Sequence, residues 1–322
     1  MFKVVYTDTE DLDPTSAIDT LQNAGFDVVR LETQNENLIA EAAFDAQGLL
    51  VGYAPLHKSL LDRLPQLEIV SLLSMGADNV DYDEVKRRNI CLSNVGGAAA
   101  PEVASHTLAL ALALIRGLPQ FSDAAQHGAW FAQPYVYVPA RLSTLRAGVL
   151  GFGQIGRELA RIAVPLFAEV QFHDPKIPAG EIIDSLRSVT FDELVETSDI
   201  ISIHIPLAEE NRRLFGASLL ARMKRGSFLI NVSRGQIVDS RALLEAIESG
   251  HIRGAALDVL DQEPPAKDHP LLNHPRILLT PHIGYLSEVT NETYVTAQAL
   301  NIVDWFTGRT VTNAINEIWK RK

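Results

Sequence analysis

Cysteine is almost absent from this chain: Cys91 stands alone among 322 residues. An internal disulfide is therefore excluded, and with it the small secreted scaffolds stapled by such bridges. Basic residues are outnumbered, 28 Lys and Arg against 40 Asp and Glu, for a formal charge of −12. Nucleic acid as a partner needs a basic stripe, and none is present. A small anionic ligand must then be held by a few local positive groups. Long apolar runs are missing too. The longest, Leu108 to Ile115, is far short of the roughly 20 residues that cross a bilayer, so it reads as a buried helix and no membrane partner is expected. The opening Met1-Phe2-Lys3-Val4-Val5-Tyr6 reads as a strand rather than a secretory leader, which predicts a cytoplasmic location. The sequons at Asn231 and Asn291 are then chance matches. No metal is expected.

What is present is enough apolar material, 47% of the residues, to bury two cores. Short apolar runs alternate with amphipathic stretches from Lys3 to Leu73, and again, more regularly, from Ala147 to Leu279. Strands separated by helical patterns imply βαβ units and parallel sheets. The fold class is α/β, with two Rossmann-like doubly wound domains. A helix of about Pro101 to Arg116 bridges them, and a long helix from Ser287 to Phe306 carries the chain back, with Thr310 to Ile315 ending against the first domain. The expected domains are 1–98 plus 287–322, and 99–286. Asp123 to Arg141 is expected to be irregular, with an aromatic stretch from Trp130 to Tyr137.

Gly151-Phe152-Gly153-Gln154-Ile155-Gly156 follows a strand and opens a helix, expected over Arg157 to Leu166. The first glycine permits a tight turn, the second admits a pyrophosphate, the third lets helix and strand pack, and the helix N-terminus supplies oriented N–H donors. Glycine-rich turns are common. Here the next strand ends in Asp174, close to the offset of the acid that binds a ribose 2′-hydroxyl. An acid there repels a 2′-phosphate, so NAD is expected over NADP.

Three further strand ends carry Asn231-Val232-Ser233-Arg234-Gly235, Asp258 to Pro265, and Thr280-Pro281-His282-Ile283-Gly284. Carboxyl ends of strands face the ligand crevice of an open α/β sheet. Arg234 offers a charged fork for a carboxylate and the adjacent carbonyl. His282 carries an imidazole, the side chain suited to donate and recover a proton in catalysis. Glu263 can accept from its other ring nitrogen and fix the tautomer. Singly, each is more often a structural residue; together, after a qualified dinucleotide fingerprint, they read as a catalytic set.

At these residues the chain resembles the D-2-hydroxyacid dehydrogenase family, which includes D-lactate, glycerate, formate and phosphoglycerate dehydrogenases and the C-terminal-binding-protein corepressors. The matching motifs span nearly the whole chain: Ser74 to Asp81, the loop at Asn94, Gly151 to Gly156 with Asp174, His204-Ile205-Pro206-Leu207, Arg234, Glu263 and His282. The resemblance implies a flavodoxin-like substrate domain closing over an NAD-binding domain, in a homodimer. It implies that backbone around Ser74, Met75 and Gly76 binds the substrate carboxylate beside Arg234. It implies cofactor contacts at Gln154, Ile155, Asp174, His204, Pro206, Val232, Ser233, Asp258 and Gly284, with Asn211 where threonine is usual near the adenosine. Tyr53 and Tyr285 would border the substrate side chain, and both look closest to the corepressor-like branch.

The substrate class that follows is a small 2-keto or 2-hydroxy acid with an uncharged or aromatic tail. Leu49 to Lys58 lacks the paired arginines typical of phosphoglycerate enzymes, which disfavours that substrate. The alternatives are an NAD-sensing corepressor-like binding protein, a phosphoglycerate dehydrogenase, and a dehydrogenase that oxidises an inorganic or one-carbon acid such as phosphite or formate on the same scaffold. The stretch from Trp130 to Tyr137 is expected to reach a partner subunit.

Overall fold

The computed structural model of the chain describes residues 1–9, 12–130 and 138–321. The chain divides into two compact units, Met1–Ala98 with Leu286–Lys322, and Ala99–Tyr285.

In the first unit five strands, β1 (Lys3–Tyr6), β2 (Asp27–Arg30), β3 (Gly48–Val51), β4 (Ile69–Leu72) and β5 (Cys91–Ser93), lie in the order β2-β1-β3-β4-β5, all parallel. That is the flavodoxin-like order. Successive side chains leave a strand on opposite faces. Val5, Leu49, Val51, Val70, Leu72 and Leu92 join one core with Ile39, Leu60 and Val85 from the connecting helices. The other face is covered by helices Thr15–Asn23 and Thr290–Phe306, the second arriving from the far end of the sequence. Burial on both faces is why these strands read as unbroken apolar runs. The tail then closes on the sheet edge: Ala314 bridges Ser93 antiparallel, and Ile315 N–H donates to Leu92 O at 2.8 Å. Burial in β5 pushes the Cys91 thiol up to about 12, so it is inert as a nucleophile.

In the second unit the strands are β6 (Arg146–Leu150), β7 (Glu169–His173), β8 (Ile182–Ile183), β9 (Leu186–Ser188), β10 (Ile200–Ile203), β11 (Ser227–Asn231), β12 (Ile252–Leu257) and β13 (Ile277–Leu279). Their order is β13-β12-β11-β10-β6-β7-β9-β8, parallel except for the β8–β9 pair. The order reverses between β6 and β10, the Rossmann switch point. Leu150, Ile201, Leu229 and Ala255 feed one core, and their neighbours Val149, Ile200, Phe228 and Ala256 feed the other. Among the described residues no helix is long and apolar enough to cross a membrane.

Two local expectations are corrected. The helix after the glycine motif runs Gln154–Ala163 rather than 157–166: it starts on the turn itself, and Pro165 cannot continue it. The region expected to be irregular from Asp123 begins inside a helix, Leu118–Gln126. Gly117 at φ 63° ends the preceding helix, Ala100–Arg116, and Pro119 suits the first turn of the next. Residues 131–137 of the aromatic stretch lie outside the described residues. The β8–β9 hairpin was not legible: its two-residue turn uses Asp184 and Ser185 at φ 51° and 68°, without the glycine that usually marks such a turn.

Candidate active site

The glycine turn is built as its chemistry requires. Gly151 has φ +95°, and a Cβ there would sit 2.7 Å from the His204 carbonyl carbon. A Cβ on Gly156 would lie 2.1 Å from Gly151 O, so helix and turn touch through backbone. Gly153 is the opposite case: nothing lies within 4 Å of the position its Cβ would take. This open space stands over the N-terminus of Gln154–Ala163, a helix without a side-chain cap, where N–H groups point outward. The Asp174 carboxylate accepts from Phe152 N–H and Lys176 N–H, both at 2.9 Å, and is thereby fixed beside the turn. These residues fit a dinucleotide: donors for the pyrophosphate and an anchored acid for a ribose.

Across the switch point, at the end of β10, burial pushes His204 down to about 3 and keeps it neutral. Its Nε2 lies 3.1 Å from Ser202 Oγ, and its Nδ1 has no partner among the described residues. Asn211 holds its own loop, donating to Pro206 O at 2.8 Å and accepting from Ala208 N–H at 2.9 Å. Ser233 Oγ donates to Ile205 O. Asn211 and Ser233 thus fasten the loops after β10 and β11 to fixed backbone.

The three expected catalytic residues belong to one connected assembly. Gly235 follows Arg234 and packs against the next loop so closely that a Cβ would fall 1.9 Å from the Leu260 carbonyl carbon. Leu260 N–H donates to Glu263 Oε1 at 2.8 Å, and Glu263 Oε2 lies 2.6 Å from His282 Nδ1. A carboxylate only accepts, so Nδ1 is the donor and Nε2 is the nitrogen left for chemistry. The His282 side chain is 41% exposed and that of Glu263 36%, so solutes reach the pair. Arg234 Nη1 donates to Ser233 O at 2.9 Å.

His282 itself sits at φ 54°, a left-handed conformation that costs energy outside glycine. Asp258 holds it there. Asp258 O accepts from His282 N–H at 2.8 Å, Oδ1 accepts from Ile283 N–H at 3.0 Å and Thr280 Oγ1 at 2.5 Å, and Oδ2 accepts from Gly284 N–H at 2.8 Å. His106 Nε2 lies 3.4 Å from Oδ1. Burial alone would raise this carboxyl, but bonds from His106, Thr280, Gly284 and Ile283 outweigh it and hold it below the ordinary value.

In the first unit the expected substrate residues lie at strand ends of its own sheet. Tyr53 follows β3, and its N–H donates to Asp8 Oδ1 at 2.7 Å, with Ala54 N–H on Oδ2 at 3.1 Å. Ser74, Met75 and Gly76 follow β4, with Ser74 Oγ donating to Gly76 O at 2.7 Å. Tyr285 ends the second unit.

A family model described as the D-isomer specific 2-hydroxyacid dehydrogenase NAD binding domain matches residues 108–284, the stretch that carries the glycine turn and all three catalytic candidates. The chain belongs to the D-isomer-specific 2-hydroxyacid dehydrogenase family. Among members of this family, glyoxylate/hydroxypyruvate reductase B of Salmonella typhimurium is 33% identical over 86% of each chain. D-3-phosphoglycerate dehydrogenase of Bacillus subtilis is 35% identical over 85% of this chain but only 51% of its own length. The chain thus spans about half the length of such phosphoglycerate relatives. The solved NADPH-dependent glyoxylate/hydroxypyruvate reductase of Sinorhizobium meliloti superposes with a TM-score of 0.88 at 27% identity, covering 100% of this chain and 99% of that one.

Four residues that position these groups within their own units were missed from the sequence. Gly235 and Thr280 lie within quoted segments but carry no signal of their own. His106 acts across 174 residues on Thr280, and Asp8 across 45 on Tyr53, separations that no local pattern reports.

Proposed function

We propose that this member of the family interconverts a small 2-keto acid and its 2-hydroxy acid with NAD(H), His282 acting as general acid and base. The observation that carries the reading is the 2.6 Å His282–Glu263 pair, which commits Nδ1 and leaves Nε2 for the substrate oxygen. In reduction, Nε2–H gives its proton to the oxygen as negative charge grows on it, and Glu263 stabilises the positive imidazolium from which the proton leaves. Arg234 binds the carboxylate and polarises the adjacent carbonyl. In the first unit the backbone N–H groups of Ser74–Gly76 are suited to a carboxylate, and Tyr53 and Met75, with Tyr285 of the second unit, are the residues we assign to the substrate tail. NAD would be held by Gly151–Gly156, Asp174 and the loops after β10 to β13, and it supplies the hydride donor or acceptor.

NAD is favoured over NADP by the fixed Asp174 carboxylate, which opposes a 2′-phosphate. Asp174→Ser is expected to narrow the NADH over NADPH preference in kcat/KM by about tenfold, roughly 1.4 kcal/mol. The deciding experiment is a steady-state screen from glyoxylate to phenylpyruvate with NADH. Turnover of at least one acid, abolished in His282→Asn, is expected, and no turnover of any would leave only a binding protein. A homodimer is proposed as well, supported by the exposed Leu118, Trp130 and Val138, and light scattering checks it.

A further inference from the structure

We propose that Asn94 is a positioning residue for the substrate carboxylate, holding the Ser74–Gly76 loop so that the Met75 and Gly76 N–H groups stand ready for an anion. The proposal rests on the reading of that loop as the carboxylate cradle.

The adjacent parallel strands β4 and β5 deliver Ser74 and Asn94 to the same edge of the first sheet. Asn94 is buried and tied down by its backbone on both sides: its N–H donates to Asn313 O at 3.1 Å, and its O accepts from Asn301 Nδ2 at 2.8 Å. Its side chain then reaches the loop. Nδ2 donates to Met75 O at 2.8 Å, while Oδ1 accepts from Gly96 N–H at 2.8 Å. These partners fix the amide's orientation, because a carbonyl only accepts and an N–H only donates. One residue further on, Val95 N–H donates to Ser74 O at 3.2 Å.

In a trans peptide the C=O of one residue and the N–H of the next point in opposite directions. Anchoring the Ser74 and Met75 carbonyls on the 94–95 segment therefore turns the Met75 and Gly76 N–H groups away from it. Neither has a partner among the described residues. Two such N–H groups bind an anion without net charge, as this acidic chain requires. An aspartate at position 94 keeps the shape and the Gly96 bond but replaces the donor with an oxygen that repels Met75 O.

The test uses Asn94→Asp and Asn94→Ala in the full chain with NADH, a 2-keto acid that the wild type reduces, and oxamate as the inert carboxylate probe. The expected result is a rise of about tenfold or more in KM for the keto acid and in the oxamate inhibition constant, the loss of one well-placed hydrogen bond. NADH affinity is unchanged and kcat changes by less than about threefold. Folded variants with wild-type KM and oxamate inhibition overturn the positioning role and leave the proposed activity standing. An equal loss of NADH affinity and thermal stability with the rise in KM reduces Asn94 to a structural residue, which also overturns it. A wild type that reduces no keto acid removes the function and this inference together. If neither variant folds, amide NMR of the wild type decides: Met75 and Gly76 resonances that stay put under saturating oxamate overturn the proposal.

Discussion

The two units differ in what their fastened loops are proposed to present. In the second, the groups proposed for the chemistry are side chains, Arg234, Glu263 and His282, aligned by the backbone contact of Gly235 with Leu260 and by the buried Asp258 carboxylate, which accepts from Ile283 and Gly284 N–H. In the first, the group proposed for the ligand is the backbone of the Ser74–Gly76 loop, held by the Asn94 side chain on Met75 O and by Val95 N–H on Ser74 O, while Asp8 fastens Tyr53. Chemistry carried by side chains writes itself into sequence as residue types at strand ends. Chemistry carried by backbone does not, because almost any residue has an N–H.

Removing a side chain from the second unit should therefore cost chemistry and little else. His282→Asn is expected to lower kcat by about 10²- to 10⁴-fold with NADH affinity within a factor of two or so, measured by fluorescence titration and steady-state kinetics. A comparable loss from Asp8→Asn in the first unit would break the contrast.

Touching the backbone scaffold of the second unit should cost stability and cofactor together. Gly156→Ala sets a methyl 2.1 Å from Gly151 O and is expected to destabilise by about 3 kcal/mol or more, with NADH affinity down about a hundredfold. Gly153→Ala, with nothing within 4 Å, should leave the melting temperature unmoved while still weakening NADH. Calorimetry with and without NADH separates the two, and equal melting temperatures would sink the idea that the glycines differ in kind.

The mildest intervention is Asp258→Asn, which keeps the volume and removes the charge that organises the His282 turn. About a tenfold fall in kcat is expected. Because the native carboxyl titrates below its ordinary range, its contribution to stability is present above about pH 3.9 and is lost as pH falls through the lower native value. The gap in urea midpoint between wild type and variant should be widest near pH 6 and close in acid. A gap that does not change with pH would show that the charge contributes nothing.

Much of the second unit was legible for these reasons. Its strands are buried on both faces and read as apolar runs, and Gly151 to Gly156, Asp174, Arg234, Glu263 and His282 are residue types with narrow uses. The helix end at Arg116 was legible, but the start of the next helix at Leu118 and the end before Pro165 were not. In the first unit β5 is only Cys91–Ser93, too short for a pattern. The helices Glu36–Ala43 and Tyr82–Arg87 carried a readable signal in their caps: Asn35 accepts from Asn37 N–H, and Asp81 accepts from Glu84 N–H. Asn94 and Asp8 act through partners distant in sequence, and only the folded chain shows them.

The contact at Gly235 carries a consequence for redesign. It joins the arginine loop to the glutamate loop backbone to backbone, with Gln236 Nε2 adding a bond to Asp261 O at 3.1 Å, so a side chain at position 235 would push the two loops apart. Redesign there has to keep position 235 as glycine and replace the acceptor that Glu263 gives to Leu260 N–H, whereas Arg234 can be varied without touching that joint.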